Sequence, residues 1–459
     1  MNPKVALATI VDSRIDFFAK REKLVEEEIR SLDWLRNVFD VVESKPINTN
    51  DEINNFACLV KTFNPDALII HIPIWADPIL AIKIYNKIQL PVLLLGNSLP
   101  GTSSLVGMLG AGGALDQSGV SHIRIFDDKN EDERRMVLAF IKAANAVNQL
   151  KGQTLGRFGG SSLGIVTADI DPSQWSRQFG VNVEYIDQFE IIKESENIDS
   201  DDVIKHIEWL NNSIGKIEYN KVFSIKSLEK QVRSYLATCK LLKKYNLDFV
   251  AVKCQPELSD GYVSQCLAHS LMNGSTGIGG IKKGTVVHAC ESDADGALTM
   301  QILKLLSNSS SALLDVRWYN KDNNLWTFAN CGAIPFDFFA SIEDPTGLSN
   351  IKMVPHVFGK GGAGALTGVV PPQNITIARL CRRNGEYWMA ILSGEVVEVS
   401  ENELSRTTYE FPKAFIRTPA GFDFLNIFGS NHVHMVKGDF TDELVMFCKI
   451  KKMEYVIWK

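Results

Sequence analysis

Residues 289–317 read ACESDADGALTMQILKLLSNSSSALLDVR, and the order of apolar and acidic residues in this stretch predicts how the middle of the chain folds. Glu291 follows the apolar run Val286–Cys290, and Asp315 ends the strand-like stretch 311–314. Between them, 296–306 carries apolar residues at helical spacing. A carboxylate at the tip of a buried strand has to be paired, hydrogen-bonded or bound to a metal, because an isolated ionised group is very costly to bury.

The order of these elements predicts that the two acids meet. A right-handed crossover through the helix would place both strand ends at the same edge of a parallel sheet, so Glu291 and Asp315 should converge there. A plainer interpretation is that Glu291 caps the helix and Asp315 forms a structural ion pair with Arg317 or another base. Asp293 and Asp295 suit capping better, because they lie immediately before the helix.

Composition limits the class of protein. At 459 residues the chain exceeds one ordinary domain, so we expect two or three. Its hydrophobic fraction of 45% and charged fraction of 22% are those of a globular protein. A net charge of −6 argues against a nucleic-acid surface, which requires a basic stripe.

Cysteine usage and the N-terminus predict the compartment. The eight cysteines form no CxxC pair and no framework spacing, which indicates reduced thiols. The N-terminus lacks the pattern of a signal peptide, and no apolar run reaches the roughly 18 residues of a membrane span. We therefore expect a cytoplasmic protein with neither a membrane nor a nucleic acid as partner.

The first two thirds of the chain alternate strand and helix signals, which is typical of doubly wound parallel sheets. In a first domain, residues 1–153, the pattern predicts strands at Lys4–Val11, Ala67–Pro73, Pro91–Gly96 and His122–Phe126, and helices at Phe17–Leu35 and Glu131–Leu150. In a second domain, residues 154–308, it predicts strands at Leu163–Ala168, Val181–Ile186, Phe249–Lys253 and Thr285–Ala289, and helices at Ser173–Phe179 and Gly261–Asn273. This second domain carries Glu291.

Beyond about Asn320 the helical periodicity fades. Short β-type runs at Thr376–Arg382, Tyr387–Val399 and Ala414–Thr418 alternate with glycine and proline. We therefore predict a third domain, residues 309–459, that is mainly β and barrel-like. The predicted fold class is α/β, with two doubly wound parallel-sheet domains followed by this C-terminal domain, which carries Asp315 and His432.

Three stretches resemble metal-binding motifs of the L-fucose isomerase / L-arabinose isomerase family, whose members are metal-dependent aldose–ketose isomerases. Glu291 stands in an E-x-D-x-x-G-A pattern, Asp315 in D-V-R and His432 in G-x-N-H. The resemblance implies that these three side chains bind one divalent metal. It also implies that the two carboxylates transfer protons while they bind it.

Weaker matches extend this resemblance along the chain. V-D-S-R at 11–14, P-I-W at 73–75 and G-G-S-S-L-G at 159–164 are similar to family motifs, and Gln255 falls near an active-site glutamine. The resemblance implies Arg14, Trp75 and Gln255 as sugar contacts. Members of the family build the site between subunits, so a homo-oligomer, and by the same resemblance a hexamer, is expected.

The donor set predicts the metal. Carboxylate oxygens favour hard cations, and one imidazole shifts the preference towards Mn²⁺, with Mg²⁺ or Co²⁺ as substitutes. Two acids and one histidine leave coordination positions for a chelating sugar. His434, two residues beyond His432, shares its face if both lie on a strand, and is a candidate for contact near the substrate. A lone histidine near an apolar stretch is more often structural.

A glycine-rich segment at 359–368 surrounds Lys360. Its backbone N–H groups could hold an anion, but the segment lacks the P-loop pattern, which favours a hairpin or an active-site lid over a phosphate loop. As a lid, it would bring Lys360 to the far end of the sugar.

These observations predict an aldose–ketose isomerase that acts on a free pentose, 6-deoxyhexose or related hexose through a metal-bound enediolate. Two other functions are kept open. A non-catalytic sugar-binding or regulatory protein on the same scaffold would not need two inward acids and a histidine. A metal-dependent aldolase would release products of carbon–carbon cleavage.

Overall fold

The computed structural model describes residues 2–126, 130–277, 281–340 and 345–458. Two compact units are present. One comprises Met1–Gln149 with Asp442–Met453, and the other Leu150–Thr441 with Glu454–Lys459. All eight cysteines are free. The division at 153 and 308 into three domains stays a prediction.

The described residues form the following elements. The strands are β1 (Lys4–Thr9), β2 (Asp40–Glu43), β3 (Ala67–Ile72), β4 (Val92–Gly96), β5 (His122–Phe126), β6 (Thr154–Phe158), β7 (Asn182–Ile186), β8 (Lys216–Ile217), β9 (Phe249–Val252), β10 (His288–Ala289), β11 (Ser311–Asn320), β12 (Leu325–Ala329), β13 (Lys352–Pro355), β14 (Gly364–Thr367), β15 (Gln373–Arg383), β16 (Glu386–Val396), β17 (Lys413–Arg417), β18 (His432–Lys437) and β19 (Glu454–Trp458). The α-helices are α1 (Ile15–Ala19), α2 (Glu22–Ser31), α3 (Asp33–Val38), α4 (Asn50–Phe63), α5 (Ile79–Ile88), α6 (Ser104–Gln117), α7 (Glu131–Leu150), α8 (Pro172–Phe179), α9 (Phe189–Ser195), α10 (Ser200–Ser213), α11 (Ile225–Lys244), α12 (Glu257–Gly261), α13 (Cys266–Asn273), α14 (Ala294–Ser307), α15 (Glu401–Ser405), α16 (Phe424–Ile427) and α17 (Thr441–Ile450).

The first unit is built on a five-stranded sheet. Its strands run in the order β2-β1-β3-β4-β5, and every neighbouring pair is parallel. Every residue of β3 and β4 is buried, as expected for strands covered by helices on both faces. The prediction of one continuous helix at Phe17–Leu35 is wrong. This region forms three helices, α1, α2 and α3, because the backbone leaves helical geometry at Arg21 and Leu32.

The second unit begins with a parallel sheet in the order β10-β9-β6-β7. The prediction of a strand at Leu163–Ala168 is wrong. The position that this strand was expected to take in the sheet is occupied by β6. Leu163 and Gly164 have positive φ angles of 51° and 71°, which no extended strand contains, and Val166–Ala168 forms a 3₁₀ turn.

The C-terminal part of this unit contains a closed barrel of six antiparallel strands, as the β-type runs predicted. The ring is β15-β18-β11-β12-β17-β16, and pairing of β16 with β15 closes it. β19 adds to the outside of the ring, parallel to β16. Closure pairs every barrel strand on both sides, so none of the six is an unpaired edge.

Helix α14 connects the parallel sheet to the barrel. It follows β10, and it packs against β11, β15 and β18. The prediction that Glu291 and Asp315 end two strands of one parallel sheet is therefore wrong, since β11 is antiparallel to both its neighbours in the barrel. Within the part of the chain that the structure describes, no helix has the length and apolarity needed to cross a bilayer.

Candidate active site

Glu291 lies on a tight turn directly after β10. Its backbone has φ 57° and ψ 26°, and Ser292 also has a positive φ of 53°. A residue other than glycine costs on the order of 1–3 kcal/mol in such a conformation, and residues of this kind cluster at functional sites. The Glu291 side chain is 15% exposed, so its carboxylate is largely removed from water while it remains accessible to a small ligand.

Asp315 and His432 are direct neighbours on the barrel wall. Asp315 on β11 is paired in register with His432 on β18. Opposite residues in an antiparallel pair project from the same face of the sheet. The preceding pair, Leu314 and Val433, therefore projects from the other face, and both residues are in the hydrophobic core. Strand alternation alone brings this carboxylate and this imidazole together.

One oxygen of each predicted carboxylate ligand lies close to the same atom of the third ligand, His432. The Nε2 atom of His432 lies 3.2 Å from Oε2 of Glu291 and 3.5 Å from Oδ1 of Asp315. The second oxygen of Asp315 accepts a hydrogen bond of 2.7 Å from Arg317. Arg317 thus forms the ion pair that the plainer interpretation expected, but it uses the oxygen that His432 does not face.

Asp293 fixes the orientation of His432. Its Oδ2 lies 2.7 Å from Nδ1 of the imidazole, and Arg379 donates to both its oxygens, at 2.5 and 3.1 Å. Asp293 also caps α14, where its Oδ1 accepts the backbone N–H of Gly296 at 2.8 Å. The sequence predicted the cap but missed the contact to His432, because no local pattern connects two residues so far apart.

Burial and the neighbouring charged side chains shift the pKa values of His432 and Asp315. Burial opposes a charged imidazole, but Asp293 and Glu291 outweigh it and raise the pKa of His432 to about 10. Burial raises the pKa of Asp315, and the positive charges of His432 and Arg317 only partly oppose this shift. In the absence of a cation, a proton on His432 neutralises part of the negative charge of the site.

The donor set fits a divalent metal. An octahedral ion with bonds of about 2.1 Å requires adjacent donor atoms about 3 Å apart, close to the two separations that Nε2 of His432 makes with the carboxylates, although the two carboxylates do not approach each other as closely. The contact between Nδ1 and Asp293 leaves Nε2 as the coordinating atom, and a carboxylate in this position is the usual support of a metal-binding histidine. Glu291, Asp315 and His432 would hold the ion.

A group of thiols lies near this site. Ligand atoms of Cys266, Cys331 and His356 lie within 4.8 Å of one another, and Nε2 of Gln255 donates to Sγ of Cys331 at 3.8 Å. The Nδ1 atom of His356 accepts the backbone N–H of Phe358 at 2.9 Å, so neutral His356 carries its proton on Nε2. A protonated Nε2 is a hydrogen-bond donor, and we assign no metal to these three residues.

His434 is completely buried beside α14. Its exposed fraction is 0%, and neither ring nitrogen has a hydrogen-bond partner among the described residues. A Cβ atom placed on Gly296 would lie 2.7 Å from Nε2 of His434, so glycine at this position makes room for the ring. A sugar contact by His434 stays a prediction.

The glycine-rich segment around Lys360 forms the hairpin between β13 and β14. The Lys360 side chain is 87% exposed, and its Nζ lies 3.6 Å from Asp260. In the first unit, the Arg14 guanidinium is bonded to Asp12, and the backbone N–H of Trp75 bonds to Thr102. Sugar contacts by these predicted residues stay predictions.

Comparison with known proteins identifies the family of this chain. Residues 8–152 match the model of the first N-terminal domain of L-fucose isomerase, and residues 328–459 match that of its C-terminal domain. The chain belongs to the L-fucose isomerase family. It is 22% identical over 446 residues to the sulfoquinovose isomerase of Priestia aryabhattai, and this alignment covers 94% of each of the two chains. It is 27% identical over 216 residues to the L-fucose isomerase of Bacteroides fragilis, covering 41% of this chain and 36% of that one.

Membership of this family assigns the reaction class. The relatives are sugar isomerases, and the chain is accordingly an aldose–ketose isomerase. The non-catalytic binding protein and the aldolase considered from the sequence are thereby set aside.

Proposed function

We propose that this isomerase moves a proton between adjacent carbons of an open-chain sugar at Glu291, Asp315 and His432, with Mn²⁺ as the bound cation. The observation that carries the proposal is the convergence of both carboxylates on Nε2 of His432, at 3.2 and 3.5 Å. A divalent cation bound there would polarise the sugar carbonyl and lower the pKa of the neighbouring hydroxyl.

The two carboxylates supply the proton transfer. One of them takes the proton from C2 of the aldose and exchanges it with solvent, the C1–C2 enediolate forms, and a carboxyl group delivers a proton to C1 while the hydroxyl proton moves from O2 to O1. Burial raises the pKa of Asp315, whereas a bound cation would lower it. Arg317 holds its second oxygen and keeps the group oriented.

For the substrate, we propose a hexose modified at C6, with sulfoquinovose as the first candidate. The support is the extent of the similarity, since the sulfoquinovose isomerase of Priestia aryabhattai aligns over 94% of this chain and the Bacteroides fragilis L-fucose isomerase over 41%.

The test is a sugar panel with added Mn²⁺. Sulfoquinovose, D-glucose, L-fucose and L-arabinose are each incubated with the protein in D₂O, and ketose formation and deuterium incorporation are followed by NMR. We expect a ketose from sulfoquinovose and deuterium at the carbon that receives the proton. Ketose without deuterium would contradict the enediolate.

Two variants serve as controls for the panel. Glu291→Gln and Asp315→Asn retain size and shape but cannot act as carboxylate bases. Turnover of every sugar should fall in both. If no sugar yields a ketose although the protein binds Mn²⁺, the proposed chemistry is wrong, whereas turnover of L-fucose alone would overturn only the proposed substrate.

A further inference from the structure

A cavity of about 530 Å³ in the second unit is lined by β13, β14, α15, the segment joining α15 to β17, and β17 itself. This volume lies in the range of small-molecule sites, about 300–1,000 Å³. None of the three predicted metal ligands lines it. The cavity is therefore available for a ligand other than the sugar at Glu291.

Lys413 is the buried cation of this cavity. It is 3% exposed, and its Nζ donates to Oγ1 of Thr407 at 3.1 Å and to the carbonyl of Thr408. Two of its three protons thus have partners. Among the described residues, no carboxylate lies within 4 Å of this ammonium group. Burial lowers the pKa of Lys413 to about 8, and the more distant charge of Glu410 only partly opposes this shift. A buried ammonium group without a carboxylate in direct contact is costly.

A second lysine faces the same cavity. The Nζ of Lys352 lies 3.4 Å from the hydroxyl of Tyr409, and it also has no carboxylate within 4 Å in the described part of the chain. Ser405 and Thr407 also line the cavity, but their hydroxyl groups donate to the carbonyls of Asn402 and Leu404, and Glu401 is the one acid of the lining. The Tyr409 hydroxyl accepts from Lys352, so its own proton can point to a ligand, and two ammonium groups beside such a donor suit a tetrahedral oxyanion.

The rim of the cavity is apolar. Tyr409, Leu404 and Val369 line it and are 54%, 38% and 38% exposed. Apolar side chains of this size next to two cations match a ligand with an apolar body and an anionic head.

The cavity is separated from the metal ligands on the barrel. Across neighbouring strands, Asp315 is in register with Ala329 and Ala329 with Lys413. Two strand spacings of about 4.8 Å therefore separate the backbones of Asp315 and Lys413. The intervening Ala329 is fully buried in a small hydrophobic cluster with Phe411 and Cys331.

From these observations we infer that the cavity is a second ligand site, which binds a small organic phosphate or sulfonate through Lys413 and Lys352 and packs the apolar part against Leu404 and Tyr409. The site is independent of the proposed sugar chemistry. Its ligand would neutralise two cations that have no carboxylate within 4 Å among the described residues.

The test measures binding to the full chain with Mn²⁺ present, by calorimetry. Phenyl phosphate and benzenesulfonate carry the two anionic heads, inorganic phosphate lacks the apolar body, and phenol lacks the charge. We expect one equivalent of phenyl phosphate or benzenesulfonate to bind, inorganic phosphate to bind at least tenfold more weakly, and phenol not to bind. Failure of both aromatic anions to bind at millimolar concentration would overturn the inference.

Variants locate the binding. Lys413→Met and Lys352→Met should each weaken binding at least tenfold, and Lys413→Arg should retain most of it. Glu401→Gln should tighten binding severalfold, because it removes the one negative charge of the lining. The matched control is Lys321→Met, which removes an exposed lysine of the same unit and should change nothing.

The structural role of Lys413 is tested separately. If Lys413→Met does not fold, as shown by circular dichroism, Lys352→Met and Glu401→Gln decide the question, since neither side chain is buried in the core. Unchanged binding in both would overturn the inference. Phenyl phosphate should still bind to Asp315→Asn with normal affinity. Loss of binding in that variant would place the anion at the metal ligands instead.

Discussion

The substitution Asp293→Asn tests how the site holds its histidine. Asn keeps the size of the side chain and the oxygen that caps α14, but it removes the charge shared by His432 and Arg379. The side chain of Asp293 is 0% exposed and that of Arg379 is 1% exposed. Water therefore cannot replace an interaction that either group loses. The substitution therefore removes the negative charge of Asp293 and keeps its role as the cap of α14.

The size of the effect follows from these contacts. Loss of a carboxylate that supports a metal-binding histidine typically weakens metal affinity about 10- to 100-fold. Leaving the Arg379 guanidinium buried and unpaired costs about 3–5 kcal/mol of stability. We therefore expect Mn²⁺ affinity to fall by one to two orders of magnitude and the variant to unfold at a lower urea concentration than the wild type.

Calorimetric titration with Mn²⁺ at pH 7.5 measures the first effect, and urea unfolding followed by circular dichroism the second. Asp295→Asn is the matched control. Asp295 is also buried on α14, where it bonds to Tyr387 and Arg382 but not to His432. The control should lose stability and keep its Mn²⁺ affinity within about twofold. Equal loss of affinity in both variants, or none in Asp293→Asn, would refute the orienting role.

The remaining predictions concern turnover, pH, selectivity and assembly. Glu291→Gln and Asp315→Asn should each lower kcat by at least about 10²- to 10⁴-fold, the usual worth of a general acid or base, and near-normal rates would remove the assignment. Because the pKa of His432 is raised to about 10, a proton has to leave Nε2 before a metal binds; Mn²⁺ affinity should rise about tenfold per pH unit at pH values below about 10, and calorimetry should show one proton released. Lys360→Ala should change the relative kcat/KM among sugars by less than about twofold, since the ammonium lies in an exposed ion pair; selective loss for anionic sugars would show that it contacts them. Light scattering of the active protein should show a homo-oligomer, and a fully active monomer would contradict this.

Several elements were predictable from local sequence. The strand at His122–Phe126 and the helix at Glu131–Leu150 have the predicted bounds, and α14 extends the predicted 296–306 by a few residues. Hydrophobic periodicity records which face of an element is buried, so it locates long regular elements well. It failed at Leu163–Ala168, where an apolar run occupies a loop, because hydrophobicity does not record the φ angles of the backbone.

Local sequence patterns were enough to find two acids and a histidine next to buried apolar runs, where carboxylates and imidazoles are rare. How these residues meet depends on the folding of distant segments onto each other. Glu291 reaches the site from a turn after the parallel sheet, and Asp315 and His432 reach it from paired barrel strands. Strand pairing and barrel closure depend on contacts between segments far apart in the chain, which no local pattern encodes. For the same reason, the residues next to Asp293 identify it as a helix cap, but they do not reveal its hydrogen bond to His432. That contact forms because α14 packs against β18.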